Sequence, residues 1–305
     1  MDQPVTRAVV VGAGSIGSRH AAVLGQLGHE VAFVTARGDL DLPAFETVAD
    51  ALAGFTPEYM VIATDTAQHA DSVASLVAAG YAGLLLVEKP LAVDAPALHP
   101  FERVGVGFNL RFHPVVRRLA ELLEGTEVYT VEAHAGQHLA GWRPDRPVAE
   151  QYSAHASRGG GVLRDLSHEL DYLAVLFGPC LGVFARGGRV AEVTVDSDDA
   201  WAIVAQHSAA PLLSLQLNYL DTAPRRRVLV NTSAGTIDAD LIAGTITSSA
   251  GTETFEVDRD ATYRDMHEAM LAGGTVATVA DAIATDELIA MIETSQAEQR
   301  WVVSA

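Results

Sequence analysis

Residues 8–17 read Ala8-Val9-Val10-Val11-Gly12-Ala13-Gly14-Ser15-Ile16-Gly17, an apolar run that opens directly into a glycine-rich loop. A short continuous apolar run is the pattern of a strand buried on both faces. Behind the loop, Ala21, Ala22, Leu24 and Leu27 give residues 15–27 an apolar helical face, and Gly28 stands where that helix would end. A second strand over residues 30–35 completes a βαβ unit.

In that order the glycines have separate mechanical reasons. Gly12 permits the tight turn, Gly14 lets a pyrophosphate approach the backbone, and Gly17 lets the helix pack closely on the strand. Ser15 and Ile16 begin the helix whose backbone N–H groups face the anion. The ligand class is a dinucleotide.

An NAD site usually carries an acidic residue at the end of the second strand for the ribose 2′-hydroxyl, but this chain reads Phe33-Val34-Thr35-Ala36-Arg37. Arg37 can pair with a 2′-phosphate and Thr35 can hydrogen-bond to it, which favours NADP(H) and leaves NAD(H) open. A plain solvated arginine is the competing reading, because Asp39 and Asp41 lie nearby.

Strand and helix patterns continue to alternate over residues 59–63, 67–79, 83–87 and 103–108, the signature of a doubly wound α/β domain. Ligands of such sheets bind beyond the carboxyl ends of the strands, where Thr64, Glu88, Lys89 and Asn109 fall. The second half changes character. Residues 127–135, 201–207, 212–219, 227–231, 236–241 and 253–257 read as strands joined by short turns, which suggests a mainly antiparallel sheet. The boundary is placed at Phe108, giving a dinucleotide-binding Rossmann domain over residues 1–108 and an α+β domain for substrate binding and oligomerisation over 109–305. One face of the second sheet needs covering, so a homodimer or homotetramer is expected.

Composition narrows the function. The 305 residues are 49% hydrophobic and 19% charged, enough for two cores. A formal net charge of −19 argues against a nucleic-acid surface, whose affinity comes from clustered lysine and arginine. The most apolar run, residues 172–185, is too short for a membrane helix and is broken by Gly178, Pro179 and Gly182. Asp2 and Pro4 stand where a signal peptide would carry basic residues, and the single cysteine, Cys180, excludes an intramolecular disulfide framework and a cysteine-based zinc site. A cytoplasmic location is expected.

The ordered motifs resemble those of the Gfo/Idh/MocA oxidoreductase family over essentially the whole chain. Gly12 to Gly17 followed by Ser18-Arg19-His20 resembles its opening signature. Ala63-Thr64-Asp65-Thr66-Ala67-Gln68-His69 resembles its third-strand motif, with Asp65 where proline is common, and Glu88-Lys89-Pro90 matches its most characteristic tripeptide. Gly107 to Phe112, containing Asn109 and Arg111, resembles the entry to the second domain, and the segment from Gly159-Gly160-Gly161 through Asp165, His168 and Asp171 resembles the catalytic helix. Here two residues separate Asp165 from His168 where the family commonly has three. The stretch from Tyr263 through the apolar helix 279–292 to Trp301 resembles the family's ending. The resemblance implies a Rossmann domain joined to an open, mainly antiparallel sheet. It also implies cofactor contacts from Thr64, His69, Glu88, Lys89 and Asn109 and substrate contacts from Lys89, Arg111, Asp165 and His168.

Interconversion of a secondary alcohol and a ketone needs a group that exchanges the hydroxyl proton while the cofactor carries the redox step. Lys89 can polarise a carbonyl as an ammonium or accept a proton as an amine. His168 is the candidate proton donor during reduction, with Asp165, or Asp171 at the same spacing, to orient its imidazole. A spacing of three places Asp165 and His168 about one helical turn apart.

Trp142, Arg143, Tyr152, His155 and Arg158 lie in an irregular stretch before that helix, and their donors, cations and aromatic faces suit a sugar, a sugar acid or a nucleotide sugar. His134, His138, His155 and His168 have no recognised metal-ligand spacing, so no metal is assigned. Arg225-Arg226-Arg227 opens a strand-like segment and suits either an anion or a sheet-edge or interface role. The leading expectation is an NAD(P)-dependent oxidoreductase acting on CH–OH groups of a carbohydrate-like substrate. Reduction of an imine or another non-sugar, transient oxidation coupled to elimination or hydrolysis, and a non-catalytic dinucleotide-sensing regulator stay open.

Overall fold

The structure is a computed structural model that describes residues 5–304; Asp2 and Pro4 lie outside the described residues. The chain divides into two compact units. One runs to Asn109 and takes in Arg259–Ile283; the other comprises Leu110–Asp258 and the stretch from Ala284 onward.

The first unit opens with β1 (Arg7–Val11), α1 (Ser15–Gln26), β2 (Glu30–Val34), β3 (Ala44–Phe45), α2 (Val48–Phe55), β4 (Tyr59–Ile62), α3 (His69–Ala78), β5 (Leu84–Val87) and β6 (Arg103–Val106). The six strands form one sheet in the order β3-β2-β1-β4-β5-β6, and every pairing in it is parallel. Val10 lies opposite Phe33 on one side and Val61 on the other. Ala8, Val9 and Val10 have no exposed surface, which is why this strand reads as continuously apolar. α1 ends where expected. Gly28 adopts φ +84° and its N–H bonds back to Gly25 O, with His29 N reaching Leu24 O.

The strand order reverses between β1 and its two neighbours, so the crevice at the carboxyl ends of β1 and β4 is the switch point of the sheet.

The second unit contains α4 (Pro114–Leu123), β7 (Val128–Gly136), α5 (Val162–Asp165), α6 (Ser167–Phe177), β8 (Cys180–Gly188), β9 (Ala200–His207), β10 (Ala210–Asn218), β11 (Arg225–Thr232), β12 (Gly235–Asp240), β13 (Thr245–Ser248) and β14 (Gly251–Thr254). α7 (Ala261–Leu271) then belongs to the first unit, α8 (Val279–Glu298) follows, and β15 (Val302–Val303) closes the sheet. Its nine strands run β14-β13-β12-β11-β7-β10-β9-β8-β15. Only β7 and β10 pair in parallel; the sheet is otherwise antiparallel and open at both edges.

Burial alternates along β9 and β10, with Trp201, Ile203, Ala205, Leu213, Leu215 and Leu217 turned into a core shared with Leu170, Leu173 and Phe177 of α6 and Leu288, Ile289 and Ile292 of α8. Each leucine, isoleucine and phenylalanine among them stabilises the fold by about 1.5–3 kcal/mol on full burial. β11 sits between β7 and β12, so Arg225, Arg226 and Arg227 lie in the interior of the sheet and not at its edge. Among the described residues no helix is long and apolar enough to cross a membrane.

Candidate active site

At the carboxyl end of β1 the loop glycines divide into two classes. Gly12 has φ +99°, and a Cβ there would meet Ala63 O at 2.8 Å; a Cβ on Gly17 would collide with Gly12 O. Both are glycine because the protein itself requires it. A Cβ on Gly14 would meet nothing within 4 Å. Gly14 therefore borders open space, at the N-cap of a helix that has no side-chain cap and no acidic residue in its first turn. Those are the conditions for holding a pyrophosphate on Ser15, Ile16 and Gly17 backbone N–H groups, so the loop fits a dinucleotide.

Arg37 is tied to this loop. Its Nη1 donates to Ala13 O at 2.8 Å, while Nε and Nη2 grip Asp39 at 3.0 and 2.8 Å. Thr35 Oγ1 accepts the backbone N–H of Arg37. The Asp39 partner raises the Arg37 pKa, and Arg37 lowers that of Asp39.

Beyond β4, Thr64 Oγ1 lies 3.4 Å from Ser72 Oγ, and the buried His69 ring spans Thr64 O, Pro90 O and Leu91 O at 3.1–3.3 Å. Burial, partly offset by those carbonyls and by Glu88, lowers the His69 pKa. Asn109 is buried and donates to Thr262 Oγ1 at 2.6 Å, a partner supplied by α7. Glu88 and Lys89 follow β5 at the same end of the sheet. Glu88 Oε1 lies 2.9 Å from His20 Nε2, and Glu88 Oε2 accepts the Lys89 backbone N–H. A Cβ on Gly107 would meet Glu88 Oε1 at 2.6 Å, so β6 is followed by the residue that leaves room for this carboxylate.

In the second unit the helix bearing the histidine is broken. α5 stops at Asp165, Leu166 takes φ −96° and ψ +24°, and α6 restarts at Ser167. Asp165 and His168 therefore lie on successive helices, not on one continuous face. The Asp165 carboxylate is gripped by two tyrosines, accepting from Tyr152 OH at Oδ1 and from Tyr219 OH at Oδ2, each at 2.6 Å. Arg143 lies over the Tyr152 ring at 5.3 Å, and Trp142 meets the Tyr219 ring edge-on at 5.3 Å. Three of the residues singled out by sequence, Trp142, Arg143 and Tyr152, thus gather with Tyr219 around the carboxylate of a fourth, Asp165. Tyr219 was missed; it sits just past β10, and only its non-local pairing reveals it.

Asp171 is held by Arg111, whose Nε and Nη2 donate at 2.8 and 2.5 Å. His155 Nε2 lies 2.7 Å from Ala149 O, His134 pairs with Asp221 at 2.7 Å, and His138 Nδ1 accepts from Ala140 N. These histidines have separate partners, and among the described residues no group of three or more His, Cys, Asp or Glu is placed to hold a metal. Arg225, Arg226 and Arg227 pair with Asp221, Glu169 and Asp238 respectively.

The start of α5 explains the triple glycine. Gly161 has φ +123°, and a Cβ there would run into the Asp198 carboxylate, which accepts from Leu163 N and Trp201 Nε1. A Cβ on Gly160 would strike Tyr152 O. The helix can begin only where two glycines let these groups close on it.

Residues 6–99 match the model of an oxidoreductase family with an NAD-binding Rossmann fold, and residues 116–238 match the Gfo/Idh/MocA C-terminal domain. The chain belongs to the Gfo/Idh/MocA oxidoreductase family. Its fold is similar to that of GenD2 from gentamicin A biosynthesis, solved with NAD (TM-score 0.81, 23% identity, covering 100% of this chain and 98% of that one). It is also similar to a putative myo-inositol dehydrogenase from Sinorhizobium meliloti 1021 (TM-score 0.75, 23% identity, 99% and 100%). Levoglucosan dehydrogenase, solved with NADH and L-sorbose, superposes with TM-score 0.84 at 16% identity over 98% and 99% of the two chains. At these identities the likeness is one of fold. No curated protein matches the chain in sequence. Within the family frame, residues 6–99 of the first unit, which carry the glycine loop, are the NAD-binding Rossmann domain.

Proposed function

We propose that this chain is an NAD(P)-dependent oxidoreductase that interconverts a secondary alcohol and a ketone on a sugar, sugar acid or nucleotide sugar. The observation that carries the reading lies in the first unit. Lys89 follows β5 at the same end of the parallel sheet as the open Gly14 loop, where ligands of doubly wound sheets bind. Lys89 anchors and polarises the substrate oxygen, and His168 exchanges its proton. Asp165, fixed by Tyr152 and Tyr219, supports the histidine. Arg111, Trp142, Arg143, Tyr152 and His155 contribute to substrate binding. A bound nicotinamide would supply the hydride chemistry.

The carbohydrate class is supported by the paired tyrosines, the arginines and Trp142, a set that offers aromatic faces with fixed donors. It is also the class acted on by the levoglucosan dehydrogenase of the same fold. NADP(H) is favoured by Arg37, which lies against Ala13 of the loop. Cytoplasmic residence suits a chain with one cysteine. A homodimer or homotetramer is supported by Val204 and Leu212, both 40% or more exposed on the second sheet.

The test is calorimetric titration with NADPH and NADH, followed by a screen of polyols, sugars and nucleotide sugars for cofactor reduction, with Lys89→Ala alongside. Turnover that disappears in a Lys89→Ala protein still able to bind cofactor supports the reading. Cofactor binding with no turnover on any CH–OH substrate points instead to a sensing role, and absence of cofactor binding overturns the proposal.

A further inference from the structure

Four buried side chains in the first unit form a line of hydrogen bonds that ends on the residue preceding Lys89. Tyr59 OH lies 2.9 Å from His267 Nδ1, His267 Nε2 lies 2.9 Å from His20 Nδ1, and His20 Nε2 lies 2.9 Å from Glu88 Oε1. Tyr59, His267 and His20 have no exposed surface at all. They come from β4, α7 and α1, and the line closes on the end of β5.

Counting hydrogens gives the line a direction. An ionised Glu88 only accepts, so His20 donates from Nε2 and, as a neutral ring, accepts at Nδ1. His267 must then donate from Nε2 and accept at Nδ1, and the hydrogen it accepts is the hydroxyl hydrogen of Tyr59. Every hydrogen in the line has an acceptor. The reverse direction would leave the hydroxyl hydrogen of a fully buried tyrosine to find another acceptor, which is costly.

The electrostatics agree. Burial above all holds the His267 pKa well below the usual histidine range, so this ring is neutral. Burial alone would raise Glu88, but the hydrogen bond from His20, with the Lys89 charge beside it, brings its pKa below the ordinary value. The other groups facing Glu88 are His69 of α3 and Tyr59 and Tyr263, with Arg19 lying over the Tyr263 ring at 5.4 Å and paired with Asp260.

We propose that His20 and His267 are positioning residues for Lys89: the one-way line from Tyr59 pins Glu88 as a carboxylate, and that fixed anion keeps Lys89 an ammonium that donates and polarises and does not act as the base. The role rests on the reading of Lys89 as the group that holds the substrate oxygen, and it leaves the proton exchange to His168. Of the 20 lysine and arginine residues in the chain, Lys89 is the only lysine. A composition that uses arginine everywhere else keeps the compact, readily tuned ammonium here.

That uniqueness makes the proposal directly measurable. Reductive methylation of the full chain with 13C-formaldehyde places one dimethyl-lysine signal, identified by its absence in Lys89→Arg, and its shift is followed against pH. In folded His20→Asn and His267→Phe the midpoint is expected to fall by about one pH unit, a tenfold change in the ammonium-to-amine ratio, and Glu88→Gln should lower it at least as far. Imidazole 15N spectra of the unaltered protein need no variant to fold, and both histidines should appear as neutral Nε2–H tautomers. An unmoved midpoint in folded variants, or an Nδ1–H tautomer at either ring, overturns the proposal. Turnover retained by Lys89→Ala would instead remove the catalytic reading of Lys89 while leaving the midpoint result intact.

Discussion

Tyr219 OH donates to Asp165 Oδ2 at 2.6 Å, joining the end of β10 to the end of α5 across 54 residues of sequence. With Tyr152 on the other oxygen, the carboxylate is fixed by two phenols that stay protonated, because burial and then Asp165 itself push both tyrosine pKa values well above 10. The bond to a charged acceptor is worth about 1.5–3 kcal/mol. Tyr219→Phe is therefore expected to lower unfolding free energy by that amount in urea titrations while cofactor affinity, which the proposed function assigns to the other unit, is unchanged. A loss below about 0.5 kcal/mol would mean the carboxylate finds water in place of the phenol.

The loop glycines separate folding from binding. Gly17→Ala drives a methyl into Gly12 O, and overpacking of this kind costs about 1–3 kcal/mol. Gly14→Ala meets no protein atom, so its melting temperature should stay that of the parent while cofactor affinity falls by about tenfold or more, roughly 1.4 kcal/mol. Thermal melts with and without NADH or NADPH distinguish the two. Equal binding by Gly14→Ala and parent would remove the loop from the cofactor site.

The parts of the molecule that are continuous in sequence were legible there. β1, its loop and α1 follow one another, so the apolar run, the glycine spacing and the helical face each carried the Rossmann reading. Lys89 likewise stands directly after an apolar strand. What escaped depends on partners remote in sequence: His267 meets His20 across 247 residues, and Arg259–Ile283 returns to the first unit after eight of the nine strands of the second sheet. No local periodicity encodes such a return. The break at Leu166 escaped because residues 162–177 keep an apolar helical pattern through it. β8 was masked in the same way, its residues merging with the apolar end of α6 into a single run.

Under the proposed NADP(H) preference, Arg37 makes the cofactor choice a contest between two anions. Its Nε and Nη2 already hold Asp39, which is itself widely exposed, so a 2′-phosphate must take the guanidinium from a neighbouring carboxylate. Arg37→Ala should weaken NADPH binding by about tenfold and leave NADH nearly unchanged, whereas Asp39→Asn should strengthen NADPH selectively. Calorimetry at one fixed ionic strength reads both, since exposed charge pairs are screened by salt. If both variants bind the two cofactors as the parent does, the arginine is a loop brace and nothing more.

His113 caps α4 through its Nδ1, which accepts from Val115 N at 3.2 Å. Burial first, and then the Arg226 charge, depress its pKa to about 4. Between the unfolded value near 6.5 and that folded value, the unfolded chain binds a proton the folded one refuses, so stability is fully present above pH 6.5 and is lost as pH falls toward 4. The full span corresponds to ~3 kcal/mol. His69, His207 and His267, all lowered chiefly by burial, add to the same slope. His113→Asn keeps a side-chain acceptor at the cap and removes the titration. Urea unfolding at pH 7 and pH 4.5 should therefore show the variant losing less stability than the parent over that interval, even if it starts lower from the smaller side chain. An identical loss in both proteins would show that His113 is protonated without cost in the fold.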